Sequence, residues 1–319
     1  ASVYSFDSRR RVEMRRVNER GTEVVLEAAR RQGAGDGGRG KRVGFAARRR
    51  AENPVRGPGA VGYNGGVEEQ RLPGGRHVGG VRVGDTVHRA ANPWTPAVHA
   101  VLRYLEAAGF DGAPRVLGFD ERGREVLTFL HGDTIGGRHP WPAWPHSEEA
   151  LHQVGAWMRR LHDITAEFVP PDGATWLAGT WHPGLIIGHH DASPYNAVWN
   201  EDGLVGFVDW DTAGPSPREF DLAHLALTWV PLNARHVAEF QGFTAFGDRS
   251  RRLHVLLDGY GYDGDRAAFA DAVVGRARRQ AAIIRAMARD GQASLLPFAD
   301  ELEQAATEIE ALPPSFWRA

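Results

Sequence analysis

From residue 67 to residue 130 the apolar positions fall in short runs separated by glycine and polar turns, the punctuation of strands. Residues 67 to 72 lead into Pro73-Gly74-Gly75-Arg76-His77-Val78-Gly79-Gly80, and Val81-Arg82-Val83 and Thr86-Val87-His88-Arg89 read as two strands joined by Gly84-Asp85. Residues 113 to 119 and 124 to 130 form a second pair around the polar turn at 120 to 123. Between the pairs, residues 95 to 106 predict a helix, with Thr95 as N-cap and Pro96 in its first turn. Farther on the period changes. Leu151, Val154, Trp157, Met158 and Leu161 follow 3.6-residue spacing behind the capping stretch Ser147-Glu148-Glu149. This helix is expected to pack beneath the loop at residue 191, its apolar positions in the core. Ile186-Ile187-Gly188 reads as a strand, and Ala197-Val198-Trp199, turned back by Asn200-Glu201-Asp202-Gly203 into an apolar run at 204 to 208, reads as a β-hairpin. Helices are expected at 222 to 229, near 236 to 240, at 266 to 289 with a stop at Asp290-Gly291, and at 298 to 312.

The chain has 319 residues, 42% of them hydrophobic, enough for one large domain or two lobes with a sizeable core between them. No apolar run approaches the roughly 20 residues that cross a bilayer, and the N-terminus has arginines without an apolar core segment. A soluble cytoplasmic monomer without a membrane partner is expected. The absence of cysteine excludes disulfides, thiolate metal sites and cysteine nucleophiles. Charge is uneven: residues 1 to 60 hold 15 Lys and Arg against 7 Asp and Glu, the remainder 23 against 33. With a glycine-rich stretch at 33 to 40 and Arg48-Arg49-Arg50, residues 1 to 66 read as a disordered basic extension without a role. Nucleic-acid contact through that extension is the lesser reading.

Candidate chemistry concentrates between residues 186 and 211. One strand delivers Asp191 into a loop, Asn196 lies five positions later, and a second strand delivers Asp209 eighteen positions after Asp191. Two carboxylates and an amide at strand ends can share one small space. Phosphoryl transfer needs a carboxylate to orient the attacking hydroxyl, oxygen ligands for Mg²⁺, and cations around the phosphates. Singly, each residue could be a turn former; as an ordered set they favour chemistry. The doublet His190-Asp191 also admits a metal-dependent phosphohydrolase. Those sites sit on all-helical scaffolds, and here a β-hairpin carries the doublet.

The order His189-x-Asp191-x-x-x-x-Asn196, Val208-Asp209-Trp210-Asp211 and Asp221-Leu222-Ala223 resembles the aminoglycoside phosphotransferase family, small-molecule relatives of the protein kinases, over roughly residues 67 to 230. The resemblance implies an α+β, protein-kinase-like two-lobed fold, with a small β-rich N-lobe at 67 to 130 and a larger, mostly helical C-lobe at 131 to 319. It implies ATP and Mg²⁺ as cofactors, and transfer of the γ-phosphoryl group to a hydroxyl of a small molecule such as an antibiotic. Asp191 would be the catalytic base, His189 the brace of its loop, and Asn196 and Asp209 the Mg²⁺ ligands. Asp211 would be a second acidic neighbour, and Asp221 the anchor of the loop's backbone. Gly74 and Gly75 would approach the phosphates, and backbone groups of Phe129, Leu130 and His131 would receive adenine. The nucleotide side departs from the family pattern. The usual lysine of the third strand is replaced by Arg89, the chain's one lysine being Lys41, and the following helix offers His99 where a glutamate is expected, with Glu106 farther along. That departure supports an alternative, a kinase-like binding or immunity protein without phosphotransfer. Residues 212 to 319 carry 12 Arg against 14 Asp and Glu, which gives little support to a polycationic acceptor.

Overall fold

Six antiparallel strands and one helix build the first lobe: β1 (Gly62–Asn64), β2 (Val67–Arg71), β3 (Val81–Val83), β4 (Thr86–Ala90), α1 (Thr95–Ala107), β5 (Val116–Phe119) and β6 (Arg124–Thr128). A computed structural model of the chain describes residues 62–64, 67–72, 80–136, 138–289 and 295–318. The strands lie in the order β1-β2-β3-β4-β6-β5. The sheet therefore begins at Gly62, inside the stretch that composition assigns to the basic extension. Helix α1 buries Val98, Val101, Leu102 and Leu105, the i, i+3, i+4, i+7 stripe of an amphipathic helix. Thr95 is not its N-cap. The backbone is already helical at Trp94, so the Thr95 hydroxyl turns back and accepts from the Asn92 amide at 2.9 Å.

The second lobe is helical around two small sheets. Strand β7 (Ile186–Gly188) pairs with β10 (Gly214–Ser216), and β8 (Ala197–Asn200) with β9 (Gly203–Phe207). The helices are α2 (Glu148–Thr165), α3 (Arg218–Trp229), α4 (Arg235–Phe240), α5 (Arg249–Tyr260), α6 (Arg266–Arg289) and α7 (Leu296–Glu310). Ser147 caps α2, its hydroxyl accepting from the Ala150 amide at 3.1 Å. Helix α5 escapes a sequence reading because Arg249-Ser250-Arg251-Arg252 precedes the apolar spacing of Leu253, Leu256, Leu257 and Tyr260. It crosses α2 closely. A Cβ on Gly155 would stand 2.6 Å from the Leu256 carbonyl oxygen, so only glycine admits this approach. The stop at Asp290-Gly291 lies outside the described residues.

One core joins the lobes. Leu102, Leu105 and Phe110 of the first pack with Leu151, Trp157, Met158, Phe207, Trp210 and Trp229 of the second, each contributing roughly 1.5–3 kcal/mol by leaving water. The connection is pinned by Asp133, which exchanges backbone hydrogen bonds with Trp199 of β8 at 2.7 and 2.9 Å. Among the described residues no helix is long and apolar enough to cross a membrane.

Candidate active site

The loop after β7 has no strand partner, so its backbone polar groups need other partners. Side chains supply them, residue by residue. The His189 amide donates to Asp221 Oδ2 at 2.9 Å and the His189 carbonyl accepts from Thr212 Oγ1 at 2.9 Å. The His190 amide donates to Asp221 Oδ1 at 2.8 Å, and its carbonyl accepts from Arg276 Nη2 at 2.8 Å. The Asp191 amide meets His189 Nδ1 at 3.3 Å, and the Asp191 carbonyl accepts from Asn196 Nδ2 at 2.9 Å. The Ala192 carbonyl accepts from Trp229 Nε1 at 2.8 Å. Asp221 sits in the first turn of α3 rather than opening it, and also accepts from His162 Nε2 at 3.2 Å. Its approach requires glycine at 188, where a Cβ would stand 2.6 Å from Oδ2. His190 takes the left-handed conformation at φ 63°, which costs about 1–3 kcal/mol and is held in place by these partners.

That scaffold fixes Asp191. Its Oδ1 accepts from Ser193 Oγ at 3.0 Å and Tyr195 OH at 2.8 Å, and its Oδ2 from Asn196 Nδ2 at 3.0 Å. His224 Nε2 stands 3.4 Å from Oδ1 and 2.8 Å from the Ser193 hydroxyl. Burial alone would raise the Asp191 pKa, but hydrogen bonding and charge from His224 and the Tyr195 hydroxyl hold it below the usual carboxylate value. The group is an ionised acceptor at neutral pH. His189 is fully buried, and desolvation depresses it to about 4 against the pull of Asp221 and Asp191. It is a neutral ring, whose Nε2 donates to the Val208 carbonyl at 3.2 Å while Nδ1 faces the Asp191 amide.

Asp209 follows β9 in the left-handed region at φ 64°. Burial raises its pKa, and the charges of Asp211 and Asp191 add to that against Arg89. The cluster carries excess negative charge. Arg89, from the other lobe, reaches into it: Nη1 lies 3.2 Å from Asp209 Oδ1 and 3.1 Å from Asp211 Oδ2. Trp94 Nε1 adds a 3.3 Å bond to Asp211.

The acid that supports Arg89 comes from a strand, not from α1. Glu125 of β6 is the cross-strand partner of Arg89 and accepts from its Nε at 2.6 Å. The other Glu125 oxygen meets His99 Nε2 at 2.9 Å, so the helix position expected to hold an acid holds the imidazole that completes the chain. Glu125 and His99 are 1% and 2% exposed. Burial opposes the charge on Arg89, but Asp211, Glu125 and Asp209 outweigh it and keep the guanidinium charged. Changing Glu125 to Gln is expected to lower stability by about 3 kcal/mol, the low end for breaking a buried pair because Arg89 keeps two other carboxylates. Denaturant midpoints at constant m would measure it, and a change under about 1 kcal/mol would mean that Glu125 does not anchor Arg89.

Asp191, His189, Asn196, Asp209, Asp211, Asp221 and Arg89 thus converge. Gly74 and Gly75 lie outside the described residues. At the interlobe connection, the Phe129 amide already donates to the Asp85 carbonyl at 2.8 Å and the Arg82 guanidinium covers the Phe129 ring at 3.8 Å. His131 Nε2 lies 3.3 Å from Asp85 Oδ1. Sequence reasoning missed Glu125, His162, Ser193, Tyr195, Thr212, His224, Trp229 and Arg276. Ser193 and Tyr195 stand inside the motif and could have been read from it; Arg276, 86 residues from His190, could not.

Residues 173–254 match the family described as the phosphotransferase enzyme family. The trifolitoxin immunity protein of Rhizobium leguminosarum bv. trifolii is 39% identical over 217 residues, covering 65% of this chain and 80% of that protein. An amicoumacin kinase in complex with AMP-PNP, Ca²⁺ and Ami shares the fold at a TM-score of 0.51 and 12% identity, covering 76% of this chain and 87% of that one. Aminoglycoside 2′-phosphotransferase-IIIa in its GDP complex does so at 0.50 and 12%, covering 78% and 94%. The fold is that of the protein-kinase-like phosphotransferases, a mixed α+β architecture.

Proposed function

Because this chain belongs to the phosphotransferase enzyme family, we propose that it moves the γ-phosphoryl group of ATP to a hydroxyl of a small molecule. The observation that carries the reading is the meeting of Arg89 with Asp209 and Asp211 beside the Asp191 loop, a cation and a carboxylate cluster brought together from two lobes. Asp191 orients the acceptor hydroxyl. As the hydroxyl oxygen bonds to phosphorus and the bond to ADP breaks, the proton passes to Asp191. Arg89, whose Nη atoms rest on Asp209 and Asp211 here, would exchange those contacts for phosphate oxygens while Glu125 with His99 fixes its Nε edge. Asn196 spends its amide nitrogen on Asp191, so its amide oxygen, together with Asp209 once freed from Arg89, would hold Mg²⁺. Among the described residues no three His, Asp or Glu side chains form a metal cage. Mg²⁺ with a nucleotide asks for less, one or two protein oxygens plus phosphate and water. The fit rests on Asp209, whose excess neighbouring negative charge a divalent cation would relieve; bound there, Mg²⁺ would neutralise charge on the phosphates. ATP as donor places the reaction in the cytoplasm.

A second reading is favoured by the 39% identity to the trifolitoxin immunity protein: a kinase-like protein that holds a toxin without phosphorylating it. Mg²⁺-dependent ADP release from ATP, measured with a panel of aminoglycosides, macrolides, choline and homoserine, separates the two. Phosphotransfer is expected to show acceptor-stimulated release. No stimulation and no thermal shift with ATP and Mg²⁺ would overturn it in favour of the binder.

A further inference from the structure

Helix α6 carries two arginines, one turn apart, that share one aromatic ring. The guanidinium carbons of Arg276 and Arg279 lie 4.7 and 5.0 Å from the centroid of Phe220. Arg276 is 3% exposed and Arg279 is half-buried. The hydrogen bonds of Arg276 go to uncharged groups, the Gln280 side-chain oxygen at 2.7 Å and the His190 carbonyl at 2.8 Å, and its Nε is buried without a partner. Among the described residues neither arginine forms an ion pair with a carboxylate. Asp221 and Asp191 act on Arg276 only at a distance, because their oxygens are taken by the loop amides, His162, Ser193, Tyr195 and Asn196. Burial and then Arg279 depress Arg276, to about 10, despite the two carboxylates. Adjacent, partly desolvated like charges are costly unless an anion joins them. The pair also sits next to the reacting loop. Arg276 holds the carbonyl of the residue before Asp191, and Phe220 meets His190 edge-on at 5.3 Å.

We propose that Arg279, with Arg276 behind it, binds a carboxylate on the acceptor, so that the substrate class is a hydroxy acid rather than a polyamine. The word acceptor rests on the phosphotransfer reading; the anion site does not. A guanidinium that has no carboxylate partner among the described residues suits a carboxylate, while a polycation brought to the same place meets two positive charges.

Three diols of one size test it: glycerate, its neutral amide glyceramide, and cationic 3-amino-1,2-propanediol. Each is titrated calorimetrically into the full chain saturated with AMP-PNP and Mg²⁺, so that the nucleotide's phosphate site is filled. Glycerate is expected to bind about tenfold tighter than glyceramide, with the amine weakest. Arg279→Gln should abolish the glycerate preference and leave AMP-PNP affinity unchanged, while Arg279→Lys retains part of the preference. Equal binding of the three diols, preference for the amine, or no glycerate binding would overturn the proposal. If AMP-PNP fails to bind while the glycerate preference persists in its absence, the phosphotransfer reading fails and the anion site stands.

Discussion

Replacing Asp191 by Asn is expected to cut acceptor-stimulated ADP release by a hundredfold to ten-thousandfold, roughly the share of a positioned base, with nucleotide affinity changed by no more than about threefold. The two halves of the effect follow from separate sets of contacts. On the nucleotide side Arg89, Glu125, Asp209 and Asp211 make no bond to Asp191, and Asn196 alone touches both sides, its amide nitrogen on Asp191 and its oxygen proposed for Mg²⁺. The Asp191 carboxylate instead collects Ser193, Tyr195 and Asn196, and is kept ionised against burial by His224 and Tyr195. An amide of the same shape keeps much of this framework but cannot take the hydroxyl proton. A fall in turnover with an unchanged KM would mark an interaction made only in the transition state. Unchanged turnover would remove Asp191 from the chemistry, and a loss of nucleotide binding would show that the two sides are not independent.

The reacting loop was legible in the sequence because short segments fix its geometry. Strands β7, β8 and β9 are each three to five residues long, so Asp191, Asn196 and Asp209 have little freedom in where they end. The support of Arg89 was not legible for the opposite reason. The family resemblance implies its partner on α1, whereas register places Glu125 directly opposite Arg89 across β4 and β6, 36 residues away. Only the assembled sheet shows that a strand glutamate and a helix histidine divide the role expected of one helix acid. The same holds for Trp229 and Arg276, which reach the loop from α3 and α6, and for His162 of α2, which reaches the Asp221 carboxylate that anchors the loop. Helix periodicity marks these positions as buried but cannot say which loop carbonyl or carboxylate they meet. Helix α5 was hidden by its own arginines, whose aliphatic stems and charges obscure the apolar period at the start of the segment.

Asp221→Asn is expected to cost about 3–5 kcal/mol, a large fraction of a typical domain's stability, because the carboxylate it alters is wholly buried and receives two loop amides and an imidazole. One carboxylate oxygen would become a donor facing donors. The same network should make the wild-type chain acid-labile in a definite window. His189 and His190 are depressed by burial to about 4 and about 3, against about 6.5 in an unfolded chain. As pH falls, the unfolded chain therefore takes up these protons first. Their contribution is fully present above about pH 6.5 and is lost toward about 4 for His189 and 3 for His190, at up to roughly 1.4 kcal/mol per pH unit for each ring. Asp221 adds to the loss below about pH 4, since the His162 bond and the neighbouring histidines outweigh burial and hold its carboxyl well below the usual range. Denaturant midpoints from pH 7.5 down to about pH 2.5 test both parts. The wild-type profile should slope downward toward acid, while Asp221→Asn should start lower and lose the part of the fall below pH 4. A flat wild-type profile between pH 7 and 5 would mean that the loop tolerates charged imidazoles, and the neutral His189 that braces Asp191 would have to be abandoned.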